Sequence, residues 1–248
     1  MKKLTIIVVT VLIGFFAVSG LGPLYAYEGG AVSNGGTIVG EVKLDGPVPP
    51  PKMVQIDKDV NVCGKEPRAL PTLIVSPAKA IENAVVSIKD IKKGKKLEVP
   101  AKKMELAQKH CTFVPHVSII PLGPKGSSIS ILNDDPITHN VHTFSFDNAP
   151  VNQAQPKTVK EITASFEAPE TIKVQCDIHT KWMSAWLITA DHPYYAVTDA
   201  GGKFKLTDVP AGTYQLQAWQ ESLGMQAKEV VVKPGGETRV VFELKLKK

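Results

Sequence analysis

Apolar and polar residues alternate with a period of two over much of this chain, and that period belongs to half-buried β-strands rather than to helices. The pattern is plain in Thr37-Ile-Val-Gly-Glu-Val-Lys-Leu44, Ala84-Val-Val-Ser-Ile88, Lys203-Phe-Lys-Leu206 and Tyr214-Gln-Leu-Gln-Ala-Trp219. Turn residues separate the runs: Asp199-Ala-Gly-Gly202, Pro210-Ala-Gly212 and Pro234-Gly-Gly236 each read as a hairpin turn. No long helical period appears, and the basic stretch before His110 leaves room for a short turn at most. The proline-rich Gly46-Pro-Val-Pro-Pro-Pro-Lys52 cannot form a central strand and reads as a loop or edge. The expected fold class is all-β.

Chemistry concentrates in Cys176-Asp-Ile-His179-Thr-Lys-Trp-Met183, directly after the apolar run Thr171-Ile-Lys-Val-Gln175, and in His139-Asn140-Val141 upstream. A cysteine and a histidine three positions apart on a turn can face one ion. A trigonal site needs a third strong donor, which His139 could supply, leaving Met183 as a weak axial ligand. One thiolate, two imidazoles and a thioether are the ligand set of a blue-copper electron-transfer centre. Singly, a cysteine or methionine is more often core filling; together, in this order after strands of the right period, they point to copper. The same residues could hold Zn(II), for which methionine is a poor ligand. His142 sits three residues beyond His139 on a strand, so it is expected on the opposite face. His116 starts a strand beside the metal end, with a surface position as the default and a fifth-ligand or supporting role as the alternative. His110 and His192 flank loops and are expected to be solvated.

Ahead of His139 the chain reads Phe113-Val-Pro115, Val117-Ser-Ile-Ile120, Gly123, Ile129-Ser-Ile131, Asn133 and Asp135. With those residues and the four donors, the stretch from about Lys103 to Ala190 resembles the cupredoxin family of plastocyanin- and amicyanin-like copper proteins. The resemblance implies a Greek-key β-sandwich with a type 1 copper cofactor. It assigns His139 and His179 as imidazole ligands, Cys176 as thiolate, Met183 as axial ligand, and Asn140 as a residue tying the two ligand loops together. The gap of three residues between His179 and Met183 lies between the shorter and longer ligand loops of familiar members. Trp182, inside that gap, is expected to shape an apolar patch around an exposed His179 or to shield the metal, with plain core packing as the other reading.

Met1-Lys2-Lys3, the apolar run Leu4 to Leu24 and the small Ala26 form the pattern of a secretory signal over residues 1–26. An uncleaved anchor is the alternative, since about twenty apolar residues can span a bilayer. The expected location is periplasmic or extracellular. If Cys176 is the metal's thiolate, Cys63 and Cys111 remain in an exported chain and can pair as a disulfide. The net charge of +5 falls to about +3 without Lys2 and Lys3, too mild to suggest a nucleic-acid partner. Basic residues cluster instead at Lys89, Lys92, Lys93, Lys95, Lys96, Lys102 and Lys103, which read as a solvated loop or as a landing patch for an acidic partner.

A second resemblance lies at the C-terminal end. Ala196-Val-Thr-Asp-Ala-Gly-Gly-Lys-Phe204, Val209-Pro-Ala-Gly-Thr-Tyr214 and Val240-Val-Phe-Glu-Leu244 resemble the carboxypeptidase regulatory-like family, a small transthyretin-like sandwich. Its usual opening strands appear far upstream, at Gly40-Glu-Val42 and Ala84-Val-Val86. That separation implies a discontinuous sandwich of residues 35–95 plus 193–248 with a copper domain, 96–192, inserted in it; insertions succeed where chain ends lie close together at a surface. The simpler alternative is an extended copper domain followed by an independent tail module. His192-Pro-Tyr-Tyr195 would be the joint, its tyrosines packing the modules together.

The expected function is that of an exported one-electron carrier that exchanges electrons through His179 with a redox protein partner, such as a cytochrome or an oxidoreductase. Enzymatic activity is not expected, since no Ser-His-Asp motif, phosphate loop or recognisable carboxylate pair is present. The alternatives are a copper trafficking or storage protein and a copper enzyme with an open position at His116.

Overall fold

The computed structural model describes residues 27–246; the proposed export segment, 1–26, lies outside them. Among the described residues no helix is long and apolar enough to cross a membrane. Nearly all the regular structure is β, as the period-two pattern requires, and it forms two sandwiches.

The first sandwich packs a four-stranded sheet on a three-stranded one. The four-stranded sheet runs Tyr195–Val197, Val85–Ile88, Gly212–Gln220, Gly224–Val232, and the three-stranded sheet runs Lys203–Val209, Gly36–Asp45, Glu237–Lys245. Strand Glu237–Lys245 alternates strictly, with Val240, Phe242 and Leu244 inward and charged or exposed residues outward. Each such fully buried side chain contributes about 1.5–3 kcal/mol relative to exposure. It pairs in parallel with Gly36–Asp45, from Thr37 opposite Glu237 to Asp45 opposite Lys245. A side chain at Gly40 would collide with the Val240 carbonyl and the Phe204 ring, so glycine lets Phe204 lie flat on the strand. Strands upstream and downstream of the central region therefore share both sheets and one core, which includes Ile38, Val86, Leu216 and Phe242.

The second sandwich packs Thr112–Val114, Met104–Lys109, Ser127–Asn133, Glu161–Phe166 against Val117–Pro121, Ser184–Ala190, Glu170–Gln175, His139–Phe144, Asn152–Gln155, each sheet given in strand order. The chain crosses repeatedly between these sheets, which is the connectivity of a Greek-key sandwich. Its core includes Leu106, Ile131, Phe166 and Leu187. Met104–Lys109 is a strand where the sequence suggested at most a turn; Leu106 is buried, and burial overrides the local lysines.

Two findings differ from the sequence reading. Residues 53–69, expected within the first sandwich, instead form a strap over the second: Met53–Val54 pairs with Arg68–Ala69, and Ile56 and Cys63 lie in the second core. The three glycine-rich turns are present, but each joins strands of opposite sheets; the hairpin of the C-terminal region is Gly212–Gln220 with Gly224–Val232, closed through Leu223 N–H to the Gln220 carbonyl.

The sandwiches meet through Val85, Val117 and Ile188, with the Trp186 and Trp219 rings 4.9 Å apart, edge to face. Several lysines of the basic cluster face carboxylates: Lys93 meets Glu28, Lys95 meets Asp208, and Lys102 meets Glu105. Tyr194, in the joint, is fully buried in the first core, and its hydroxyl bridges the Lys95 N–H and the Asp208 carbonyl.

Candidate metal centre

His139 opens a strand of the second sandwich, and Cys176 follows the neighbouring strand Glu170–Gln175. A tight turn then brings His179 back: its N–H bonds the Cys176 carbonyl, the Met183 N–H bonds the His179 carbonyl, and the Cys176 N–H bonds the Met183 carbonyl. Asn140 links the two segments. Its N–H donates to Cys176 Sγ at 3.3 Å, and its Oδ1 accepts from the Asp177 N–H. Cys176, His139, His179 and Met183 are all buried, and Met183 lies in the same core as Cys176.

The three strong donors form a triangle. His139 Nδ1 and His179 Nδ1 are 3.2 Å apart, and Cys176 Sγ lies 3.9 Å from the first and 3.5 Å from the second. The centre of that triangle is about 2.1 Å from every corner, against metal–imidazole bonds of about 2.0–2.1 Å and metal–thiolate bonds of about 2.3 Å. One ion fits all three.

The far side of each imidazole fixes its tautomer. His139 Nε2 meets Asp135 Oδ2 at 2.9 Å, and His179 Nε2 meets Asp59 Oδ2 at 2.9 Å. An ionised carboxylate only accepts, so each Nε2 carries the proton and donates it. Both Nδ1 lone pairs therefore face each other beside the sulfur, an arrangement that repels itself until a cation sits between them. Carboxylate-backed imidazoles are the usual support of metal-bound histidines.

Electrostatics agree with a closed pocket. Burial holds the His179 imidazole below its ordinary value, against the upward pull of Asp59. Burial also pushes the Cys176 thiol up, with the Asn140 and His179 N–H groups opposing. Burial acts to raise Asp135 too, but the Cys111 N–H and His139 outweigh it and keep the carboxyl below the usual range. Taking up a metal here means displacing the Cys176 proton.

Cys63 and Cys111 form a disulfide. It packs against the centre, with Cys63 Sγ 3.8 Å from His179 Nε2. The other candidates separate from the site. His142 lies on the outer face, its Nδ1 bonded to Asp177 at 3.0 Å. His116 engages both ring nitrogens elsewhere, with the Ser184 carbonyl and Glu221, and is neither on the surface nor free to ligate. His110 is exposed, whereas His192 is buried rather than solvated, because it packs under Tyr195 and Tyr27. Trp182 is 3% exposed, so it forms no surface patch; its ring covers His179 at 5.3 Å between centroids. His179 likewise has no exposed edge, because Asp59 and the strap lie over it. Asp59 gave no signal in the sequence: it stands 120 residues from His179 in a stretch that looked like part of the other sandwich.

Residues 186–245 match the carboxypeptidase regulatory-like domain family, a stretch that takes in the first sandwich from Tyr195 onward. Solved structures similar to this chain include copper proteins. A reduced Cu(I) amicyanin variant at pH 4 is 16% identical over 38% of this chain and 87% of its own, with a TM-score of 0.32. A Cu-containing nitrite reductase (NirK) from Thermus scotoductus SA-01 is 17% identical over 38% of this chain and 24% of its own, at 0.31. A purple cupredoxin from Nitrosopumilus maritimus is 16% identical over 36% of this chain and 100% of its own, at 0.29. No curated protein sequence matches significantly. Scores this low leave the metal centre's own geometry to carry the functional reading.

Proposed function

We propose that the protein is an exported type 1 copper protein that carries single electrons to and from a redox protein partner. The observation that carries this reading is the triangle of His139, His179 and Cys176 donors, with both imidazoles turned toward the sulfur by carboxylates behind them. Copper bound there would supply a one-electron couple. The chain's part is to hold the donors rigidly: Asn140 locks the two ligand loops together, and the buried turn from Cys176 to Met183 leaves the thiolate little room to move. A site that does not rearrange between oxidation states lowers the reorganisation needed for transfer. The Cys63–Cys111 disulfide suits an oxidising compartment. In this reading the protein transforms no substrate, which the engagement of both His116 ring nitrogens away from the donors supports.

The covered His179 edge favours a second reading, in which copper is held for trafficking or storage and exchanges electrons slowly. Copper reconstitution of the purified protein, with an optical spectrum and a reduction potential, separates the two. An intense visible thiolate-to-copper band with a mid-range, reversible potential supports the carrier. A colourless, readily exchanged metal overturns it in favour of trafficking.

A further inference from the structure

The strap of residues 53–69 has no place in either sheet stack, yet it is fastened at several points. The Cys63–Cys111 disulfide bonds it to the second sandwich. Arg68 donates to the carbonyls of both half-cystines, at 2.7 Å to Cys63 and 3.1 Å to Cys111. Asp57 pairs with Lys181, and Gln55 closes the strap on itself through the Lys65 carbonyl. Asp59 sits at the middle of this structure.

Its conformation shows what it is held for. Asp59 precedes the single helical turn Val60–Cys63, where an aspartate ordinarily turns its carboxylate onto the turn's own N–H groups. Here it makes no such cap, adopts the left-handed region at φ 48°, and sends Oδ2 to His179 Nε2 instead. Aspartate adopts this region more readily than most side chains; what sets Asp59 apart is that its carboxylate leaves the turn uncapped and bonds His179 instead. The His179 side chain is wholly buried beneath it, while the Asp59 side chain is 37% exposed.

We propose that Asp59 is a positioning residue for the copper ligand His179, and that the disulfide-anchored strap is a fixed cover that holds Asp59 there and keeps the imidazole edge from direct contact with solvent or partner. This rests on the copper reading above, and it adds that electrons reach the surface through an Asp59-capped imidazole rather than an exposed one. Asp59 sets the ring's tautomer and orientation, and its charge favours Cu(II) over Cu(I) at the metal.

The test uses the full-length mature protein, metal-free and loaded with Zn(II) or Cu(II). Solvent exchange of the His179 ring Nε2 proton is followed by NMR in the metal-free and zinc forms, and Cu(II) affinity by competition with a chelator. Asp59→Ala is expected to exchange that proton at least tenfold faster and to bind Cu(II) about 10–100-fold more weakly, the usual cost of losing a ligand's hydrogen-bond partner. Asp59→Asn, whose amide oxygen still accepts, should restore the slow proton and part of the affinity. Asp57→Ala, on the same strap but bonded to Lys181, should change neither. Replacing both Cys63 and Cys111 with serine should reproduce Asp59→Ala. An Asp59→Ala variant with an unchanged ring proton and unchanged Cu(II) binding overturns the positioning role, and slow exchange in the double serine variant overturns the anchoring role. Should the parent protein bind no copper, the copper reading fails, while the metal-free proton measurement still decides whether Asp59 holds His179.

Discussion

His116 and Glu221 meet across the junction of the two sandwiches, imidazole Nε2 against carboxylate, with their side chains 8% and 10% exposed. The other ring nitrogen faces the Ser184 carbonyl at 3.1 Å. Both ring nitrogens thus face oxygen atoms of the protein rather than solvent. The pair joins the second sandwich, at the start of Val117–Pro121, to the hairpin turn between Gly212–Gln220 and Gly224–Val232 of the first. Replacing Glu221 with Ala should cost about 1–3 kcal/mol, because the buried His116 ring nitrogen loses its hydrogen-bond partner. Chemical denaturation reads the loss, and an unchanged midpoint would show that the junction does not depend on this pair.

The disulfide closes a separation of 48 residues that includes the strand Val85–Ile88 of the first sandwich. On the chain-entropy account such a loop is worth about 4 kcal/mol. Denaturation of the metal-free protein with and without reductant should show a drop of that order. Peptide mapping that recovered both thiols free would refute the pairing.

Burial pushes the His192 imidazole down to about 4, against the pull of Asp191 and Asp90. Geometry agrees, since Nδ1 accepts the Tyr194 N–H at 3.2 Å and must be bare to do so. Because the folded-state value is depressed, the unfolded chain takes up the proton first. Stability is therefore full above the ordinary histidine value of about 6.5 and is lost as pH falls toward about 4, by an amount on the order of 3 kcal/mol. His192→Asn should flatten that part of the acid profile relative to the parent. Identical slopes for the two proteins would count against the burial argument.

Cys176→Ser should abolish the visible copper band, and a serine variant that kept full colour would remove the thiolate from the assignment. Met183→Leu should keep copper and raise the reduction potential, because a weak sulfur donor that favours Cu(II) is gone. Loss of copper in that variant would make Met183 more than an axial contact.

The strands and the turn from Cys176 to Met183 could be read from the sequence because both are local properties. Alternation reports burial one residue at a time, and Cys176, His179 and Met183 are held by a single turn. Asp59 could not be read this way, because its role depends on a disulfide bringing the strap onto the second core rather than on any neighbour in sequence. The same limit shows at Asp199, Pro210 and Pro234. Glycine and proline mark where the chain reverses, but which sheet the next strand joins depends on partners such as Gly36–Asp45, far upstream. His192 looked solvated beside a proline and is buried, since Tyr194 and Tyr195 draw the joint inward.

The parallel pairing of Gly36–Asp45 with Glu237–Lys245 also fixes an order of assembly. A chain made from its N-terminus can complete the second sandwich once Ala190 is available, while its earliest long strand waits with one edge bare until the last has emerged. Removing residues 237–245 would not trim a tail; it would leave that first strand with Lys203–Val209 as its remaining partner and its whole other edge bare.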